Sequence, residues 1–169
     1  MKADELRALQ APLKRKYRTE PGSAVVTSRA EAALDPERLR ARLAGDQPRI
    51  AGLHPATGGA GDEACSADLL LESLVACAAV TLLAVATSMG AALTGGKVIA
   101  EGVWDARGTL GVDKTVPVGI RSIRLTFDLE GALDEATRRR LIELTERYCV
   151  ILATLRDPPN IAVSDRGTQ

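Results

Sequence analysis

The chain has 169 residues, of which 22 are basic, 22 acidic and 46% hydrophobic. Zero net charge gives neither a nucleic acid nor an anionic membrane an electrostatic footprint, and one Phe, one Trp and two Tyr are too few rings for base stacking. This length fits one domain spanning 1–169, with a core built from Ala, Val, Leu and Ile.

In chain order, the first 18 residues hold no apolar export segment, which predicts a reducing cytoplasm. Leu6 and Leu9 stand at helical spacing among charges, so residues 1–12 read as a short amphipathic N-terminal arm stopped by Pro12. The basic run Lys14-Arg15-Lys16-Tyr17-Arg18 reads as a solvated strand or interface edge. Val25, Val26 and Thr27 favour a strand over 23–33. Over 37–43 the residues are good helix formers, yet Arg38, Arg40 and Arg42 alternate with Leu39, Ala41 and Leu43. Strict alternation predicts a half-buried strand. Gly45-Asp46 then reads as a turn, and residues 48–53 as the next strand. Residues 54–62, HPATGGAGD, form a Gly-rich loop without the spacing of a phosphate-binding loop. The only histidine, His54, lies in this loop and reads as structural, since no metal ligands neighbour it in sequence.

Residues 66–90, SADLLLESLVACAAVTLLAVATSMG, dominate the chain, and from Leu74 to Ala86 there is no charge. An apolar helix of this kind is expected to be buried on most sides. The 13 uninterrupted residues fall short of the roughly 20 of a membrane span, so a central core helix is predicted. Ser66 is the expected N-cap, Asp68 suits the first turn, and Gly90 is the expected stop.

Gly95-Gly96 reads as a loop before a strand over 97–107, in which Val98, Ala100, Gly102 and Trp104 share a side. Residues 108–119 are turn-rich. Ile123, Leu125, Phe127 and Leu129 alternate with Arg124, Thr126, Asp128 and Glu130, the clearest strand in the chain. Asp134 opens a charged helix with Leu141, Leu144 and Tyr148 expected on its inner face. Cys149 begins a less polar continuation that ends before Pro158-Pro159, and residues 160–164 read as a last short strand. The order strands, buried helix, strands, helix, strand is α+β.

Cys65, Cys77 and Cys149 lie far apart and form no CxxC, so neither a zinc site nor a disulfide framework follows. A reactive cysteine needs a cation, donors or a helix N-terminus. On that criterion Cys65, just ahead of the long helix, is favoured over Cys77, about three turns inside it. Ser73 and Thr81 flank Cys77 at four residues on either side and share its helix face, as donors or as partners of backbone carbonyls. Glu72 stands about 140° away round the helix. Local chemistry alone leaves the choice of nucleophile open, and each cysteine also reads as a small buried hydrophobe.

The pattern Ser66-Ala67-Asp68-Leu69-Leu70-Leu71, then Leu74-Val75-Ala76-Cys77 and Thr81-Leu82, with Tyr148-Cys149 and Thr154-Leu155 later, resembles the OsmC/Ohr family of osmotically inducible and organic hydroperoxide resistance proteins. Ala56-Thr57-Gly58-Gly59 and Arg107-Gly108-Thr109-Leu110-Gly111 look like an uncharacterised OsmC-like branch. The resemblance implies antiparallel sheets wrapped around a long central helix, in an intertwined homodimer with active sites at the interface. It also implies a cofactor-free and metal-free thiol peroxidase. Cys77 would attack an organic hydroperoxide and become a sulfenic acid, Cys149 would resolve it as a disulfide, and a dithiol reductant would restore both.

Three departures accompany the resemblance. Where the peroxidases carry a Glu ten residues before the first cysteine, this chain has Ala67, with Asp68 about 100° further round the helix. The activating Arg has three candidates, Arg15, Arg18 and Arg29, and Val150 replaces a Pro that often follows the second cysteine. Cys65 is extra to the pair and is expected to be incidental. The alternative expectation is a non-catalytic dimer of the same shape that binds a small apolar ligand, its cysteines structural.

Overall fold

The computed structural model describes residues 1–45, 47–165 and 167. Helix α1 (Ala3–Thr19) leads into strands β1 (Ala32–Asp35), β2 (Arg40–Leu43), β3 (Arg49–Gly52) and β4 (Ala64–Cys65). The long helix α2 (Ser66–Met89) follows, then β5 (Leu93–Val103), a one-turn helix α3 (Ala106–Thr109), β6 (Ser122–Gly131), α4 (Glu135–Tyr148) and α5 (Val150–Arg156). Strands β1 to β4 form one sheet in sequence order, antiparallel until β4 joins β3 in parallel. Strands β5 and β6 form a separate antiparallel pair. The architecture is α+β, as the order of patterns predicts.

The core forms where α2 meets the β5–β6 pair and the two C-terminal helices. One stripe of α2, Leu74, Ala78, Leu82 and Ala86, is fully buried at four-residue spacing, as one face of a helix requires. Leu82 and Ala86 pack with Leu129 and Leu141, while Leu74 and Ala78 pack with Cys149. Ile123, Leu125 and Phe127 of β6 point into these clusters, so the alternation seen in sequence is the inward face of the strand. At 24 residues α2 is long and apolar enough to cross a membrane, beyond the 13 residues its uncharged run suggests. Its packing against both core clusters makes it a core helix nonetheless.

Burial on most sides of α2 is not observed. Val80 is 68% and Leu83 57% exposed, because the single chain supplies packing partners to one face only. The sheet of β1 to β4 likewise contains no fully buried residue. Arg49 ties it to Glu72 on α2, while Arg40 pairs with Asp62 and Glu63 just ahead of β4.

Several element boundaries differ from expectation, each for a local reason. Helix α1 runs through Pro12, which removes the bond to the Ala8 carbonyl; the helix buries none of its residues, so water takes that carbonyl instead. Residues 26–30 join no strand and Val25 and Val26 are each 79% exposed, since strand propensity without a neighbouring strand forms no ladder; pairing begins with the Glu31 carbonyl, which accepts from Ala44, and the strand at Ala32. The register Asp35↔Arg40 closes a turn over 36–39 with Leu39 at φ 53, so the alternating segment becomes a strand only from Arg40. Of the expected Gly45-Asp46 turn, Asp46 lies outside the described residues. The expected strand over 48–53 is β3.

Cys65, not Ser66, is the N-cap of α2, because β4 pairs with β3 as far as Gly52↔Cys65 and holds Cys65 extended. Gly90 closes the helix in the left-handed conformation, as expected. Gly95 and Gly96 lie within β5 at a register shift, where Gly96 passes so close to the Asp128 carbonyl that a side chain would collide with it. Asp134 caps α4 by accepting from the Thr137 amide at 2.7 Å. Tyr148 is 57% exposed, since the buried stripe runs Leu141, Thr145, Cys149 and Tyr148 stands one residue off it. Residues 160–164 form no strand and are exposed, with no strand edge beside them.

Candidate active site

Cys149 ends one helix and begins the next. Its amide donates to the Thr145 carbonyl at 2.9 Å, its own carbonyl accepts from Ala153 at 3.0 Å, and its backbone between them is extended, with φ −73 and ψ 108. The first amides of α5 therefore have no carbonyl one turn back to bond to. Cys77, on the adjacent turn of α2, packs against the cluster of Leu74, Ala78 and Cys149 and receives them. The structure thus brings Cys77 and Cys149 together, both as free thiols.

The two sulfurs are electrostatically unequal. Burial pushes the Cys77 thiol up, but the Ile151 amide, the Cys149 thiol, the Val150 amide and the Thr81 hydroxyl all donate toward its sulfur, and together they bring it below the ordinary thiol value. Cys149 is fully buried, which pushes its thiol up; the Leu152 amide offsets part of this, and the bond and charge of Cys77 raise it further. Of the pair, Cys77 is the thiol that gives up its proton more readily and Cys149 the one that keeps it. Replacing Thr81→Val removes one donor, raises the Cys77 thiol and so leaves less thiolate at neutral pH. Alkylation of Cys77 by iodoacetamide is expected to slow, with its pH profile displaced upward.

Sequence reasoning favoured Cys65 through the helix it precedes. The structure gives the helix-start donors to Cys77 instead, and they come from α5, not from its own helix. Val150 is part of this arrangement: at the first position of α5 a Pro would have no N–H, whereas Val150 contributes one. Of the two hydroxyls flanking Cys77, Thr81 acts on the sulfur. Glu72 is taken up by Arg49. Ala67 brings no carboxylate, and among the candidate arginines Arg29 pairs with Glu31 at 2.6 Å while Arg15 and Arg18 are exposed on α1. None of the three figures among the groups that chiefly set the Cys77 thiol. Beside the cluster a groove of about 390 Å³ runs past Leu74, Phe127, Leu152 and Leu155, with Arg121 and Arg156 also lining it.

Solved structures with this fold include an OsmC-like protein from Mycoplasma pneumoniae, 18% identical with a TM-score of 0.65 over 79% of this chain and 89% of that one. An organic hydroperoxide resistance protein from Elizabethkingia anophelis is 19% identical, with a TM-score of 0.64 over 80% of this chain and 91% of that one. A third, the organic hydroperoxide resistance protein OsmC from Legionella pneumophila, is 16% identical with a TM-score of 0.56 over 79% and 92%. No curated protein matches the chain. The family model for OsmC-like proteins matches residues 59–164, more than half of the sequence and all of α2 to α5. By that match, the chain belongs to the OsmC-like protein family.

Proposed function

We propose that the protein is a cofactor-free thiol peroxidase for organic hydroperoxides, working as a homodimer in the reducing cytoplasm. The observation that carries this reading is the packing of Cys77 on α2 against the buried Cys149 at the α4–α5 junction, both as free thiols, with the Cys77 thiol held below its ordinary value. The Cys77 thiolate attacks the outer oxygen of ROOH, the O–O bond breaks, and the alkoxide leaves as ROH after taking a proton. Cys77 is then a sulfenic acid. The Cys149 thiol attacks that sulfur, water leaves and a Cys77–Cys149 disulfide forms, which an external dithiol reduces to two thiols. The apolar neighbours Leu74, Ala78, Ile151 and Leu152 favour an organic R group over hydrogen peroxide.

The homodimer reading draws support from the exposed apolar face of α2 and from a β1–β4 sheet without buried residues, surfaces that a second copy would cover. Residues 1–169 form one OsmC-like domain in this reading. A second reading, a non-catalytic dimer that binds a small apolar ligand, is favoured by one observation: Ala67 supplies no carboxylate and no guanidinium chiefly sets the Cys77 thiol.

One experiment separates the two. Fully reduced protein is mixed with cumene hydroperoxide or hydrogen peroxide in stopped flow, and products are mapped by mass. Peroxidase chemistry predicts fast, organic-selective formation of a Cys77–Cys149 disulfide. In the Cys149→Ser variant the same reaction halts after one equivalent, with a dimedone-reactive sulfenic acid on Cys77. Oxidation that is slow and unselective, or a disulfide through Cys65, supports the binding module instead.

A further inference from the structure

A second cleft lies at the opposite end of α2 from its Gly90 cap, between the 54–62 loop, the start of the helix and Trp104. Its volume of about 380 Å³ is at the small end of the range for ligand cavities, roughly 300–1,000 Å³. Leu53, Leu70 and Ile120 give it apolar walls, Cys65 lines it, and no Asp, Glu, Lys or Arg does. The groove beside the cysteine pair, by contrast, is lined by Arg121, Glu146 and Arg156. A cavity without ionised side chains disfavours a charged occupant, whose hydration it cannot replace.

Thr57, Ser66 and Thr109 line it with hydroxyls, and His54 and Trp104 with two rings that carry N–H groups. His54 accepts the Ala56 amide on Nδ1 at 3.0 Å, which leaves the ring proton on Nε2. That loop geometry is fixed by the turn at Pro55–Thr57, closed by Gly58 at φ 95, and by Gly59 lying against the Leu53 carbonyl. His54 and Trp104 meet edge to face, with ring centroids 5.1 Å apart. Among the described residues neither His54 Nε2–H nor Trp104 Nε1–H has a protein acceptor, and no buried side-chain nitrogen lacks a partner, so both donors open to solvent. Two preset N–H donors with no acceptor, on apolar walls without charge, are complementary to a neutral ring bearing an acceptor oxygen.

We propose that this cleft binds small neutral aromatic molecules carrying a carbonyl oxygen, held by the N–H groups of His54 and Trp104. Neither Cys77 nor Cys149 lines this cleft, which shares only the wall residue Ile120 with the groove beside them. Trp104 is the only tryptophan, so the ¹⁵N-labelled full chain gives a single indole N–H resonance that reports on the cleft.

Acetophenone is titrated as the probe, against cumene, which has a similar outline and no acceptor, and benzoate, which is charged. Acetophenone is expected to shift the indole resonance saturably, with cumene at least about tenfold weaker and benzoate inert, the cost of leaving a donor unmet and of burying a charge. His54→Phe keeps a ring against Trp104 and should weaken acetophenone about tenfold without changing cumene. Ala67→Phe, on the first turn of α2 in the cleft wall, fills the space and should abolish binding of both, while Cys77→Ser changes neither. The proposal is overturned by the absence of a saturable shift, by equal binding of acetophenone and cumene, or by binding unchanged in Ala67→Phe. Unfolding of His54→Phe leaves the other comparisons decisive, since they use the native chain and Ala67→Phe.

Discussion

Cys77→Ser should lower hydroperoxide turnover by roughly a thousandfold or more, because a serine hydroxyl has no anion at neutral pH for the four donors to stabilise. The measurement is peroxide consumption with a dithiol reductant in excess, alongside Cys65→Ser as a control that keeps the pair intact. Cys65→Ser should retain turnover, since Cys65 lies in the other cleft. The pH dependence follows from the direction of the two thiols. With Cys77 below the ordinary thiol value and Cys149 above it, the first oxidation should reach its plateau at lower pH than that of a free cysteine. Equal turnover by Cys77→Ser and the parent chain would falsify the assignment of the nucleophile.

Leu74→Ala is expected to cost about 3 kcal/mol, within the 2–5 kcal/mol seen when a buried Leu is truncated. Leu74 has no exposed surface and packs in the cluster that holds Ala78 and Cys149, between α2, β6 and α5. For a chain of this size that loss lowers Tm by about 6–12 °C. Val163→Ala, at a position 93% exposed, should change stability by less than about 0.5 kcal/mol. Urea unfolding of the three chains at one protein concentration tests both values. A Leu74→Ala variant as stable as the parent would mean that the cluster around Cys149 repacks without a cavity.

What could be read from the sequence was what is local or periodic. The alternation from Ile123 to Leu129 became an inward strand face, Asp134 became a cap, and the uncharged run around Cys77 became the long central helix. Propensity misled where it needed a partner: Val25, Val26 and residues 160–164 form no ladder because no strand lies beside them. Pro12 misled in the other direction, as a breaker tolerated on a hydrated helix. The site was harder still. Cys65 satisfied the one local rule for reactivity, and nothing within a few residues of Cys77 showed that amides from Val150 and Ile151 would reach it. Only the resemblance to a family paired Cys77 with Cys149. The break at Cys149 that frees those amides is a tertiary fact, since neither Gly nor Pro stands near it in the sequence to mark it.

The sheet of β1 to β4 holds no fully buried residue, so stability is spread unevenly along the chain. Opening a ladder that covers no core exposes little apolar surface, so within one chain its opening free energy lies well below that of the α2 clusters. In a single chain, without a second copy over that sheet, amide protons of the first third are expected to exchange first, and a protease to find Arg38, Arg42 and Arg49 there. The cysteine pair, on α2 and at the α4–α5 junction, sits in the part that opens last. The reactive centre therefore outlasts its own wrapping, and fraying of the wrapping need not disturb the two sulfurs.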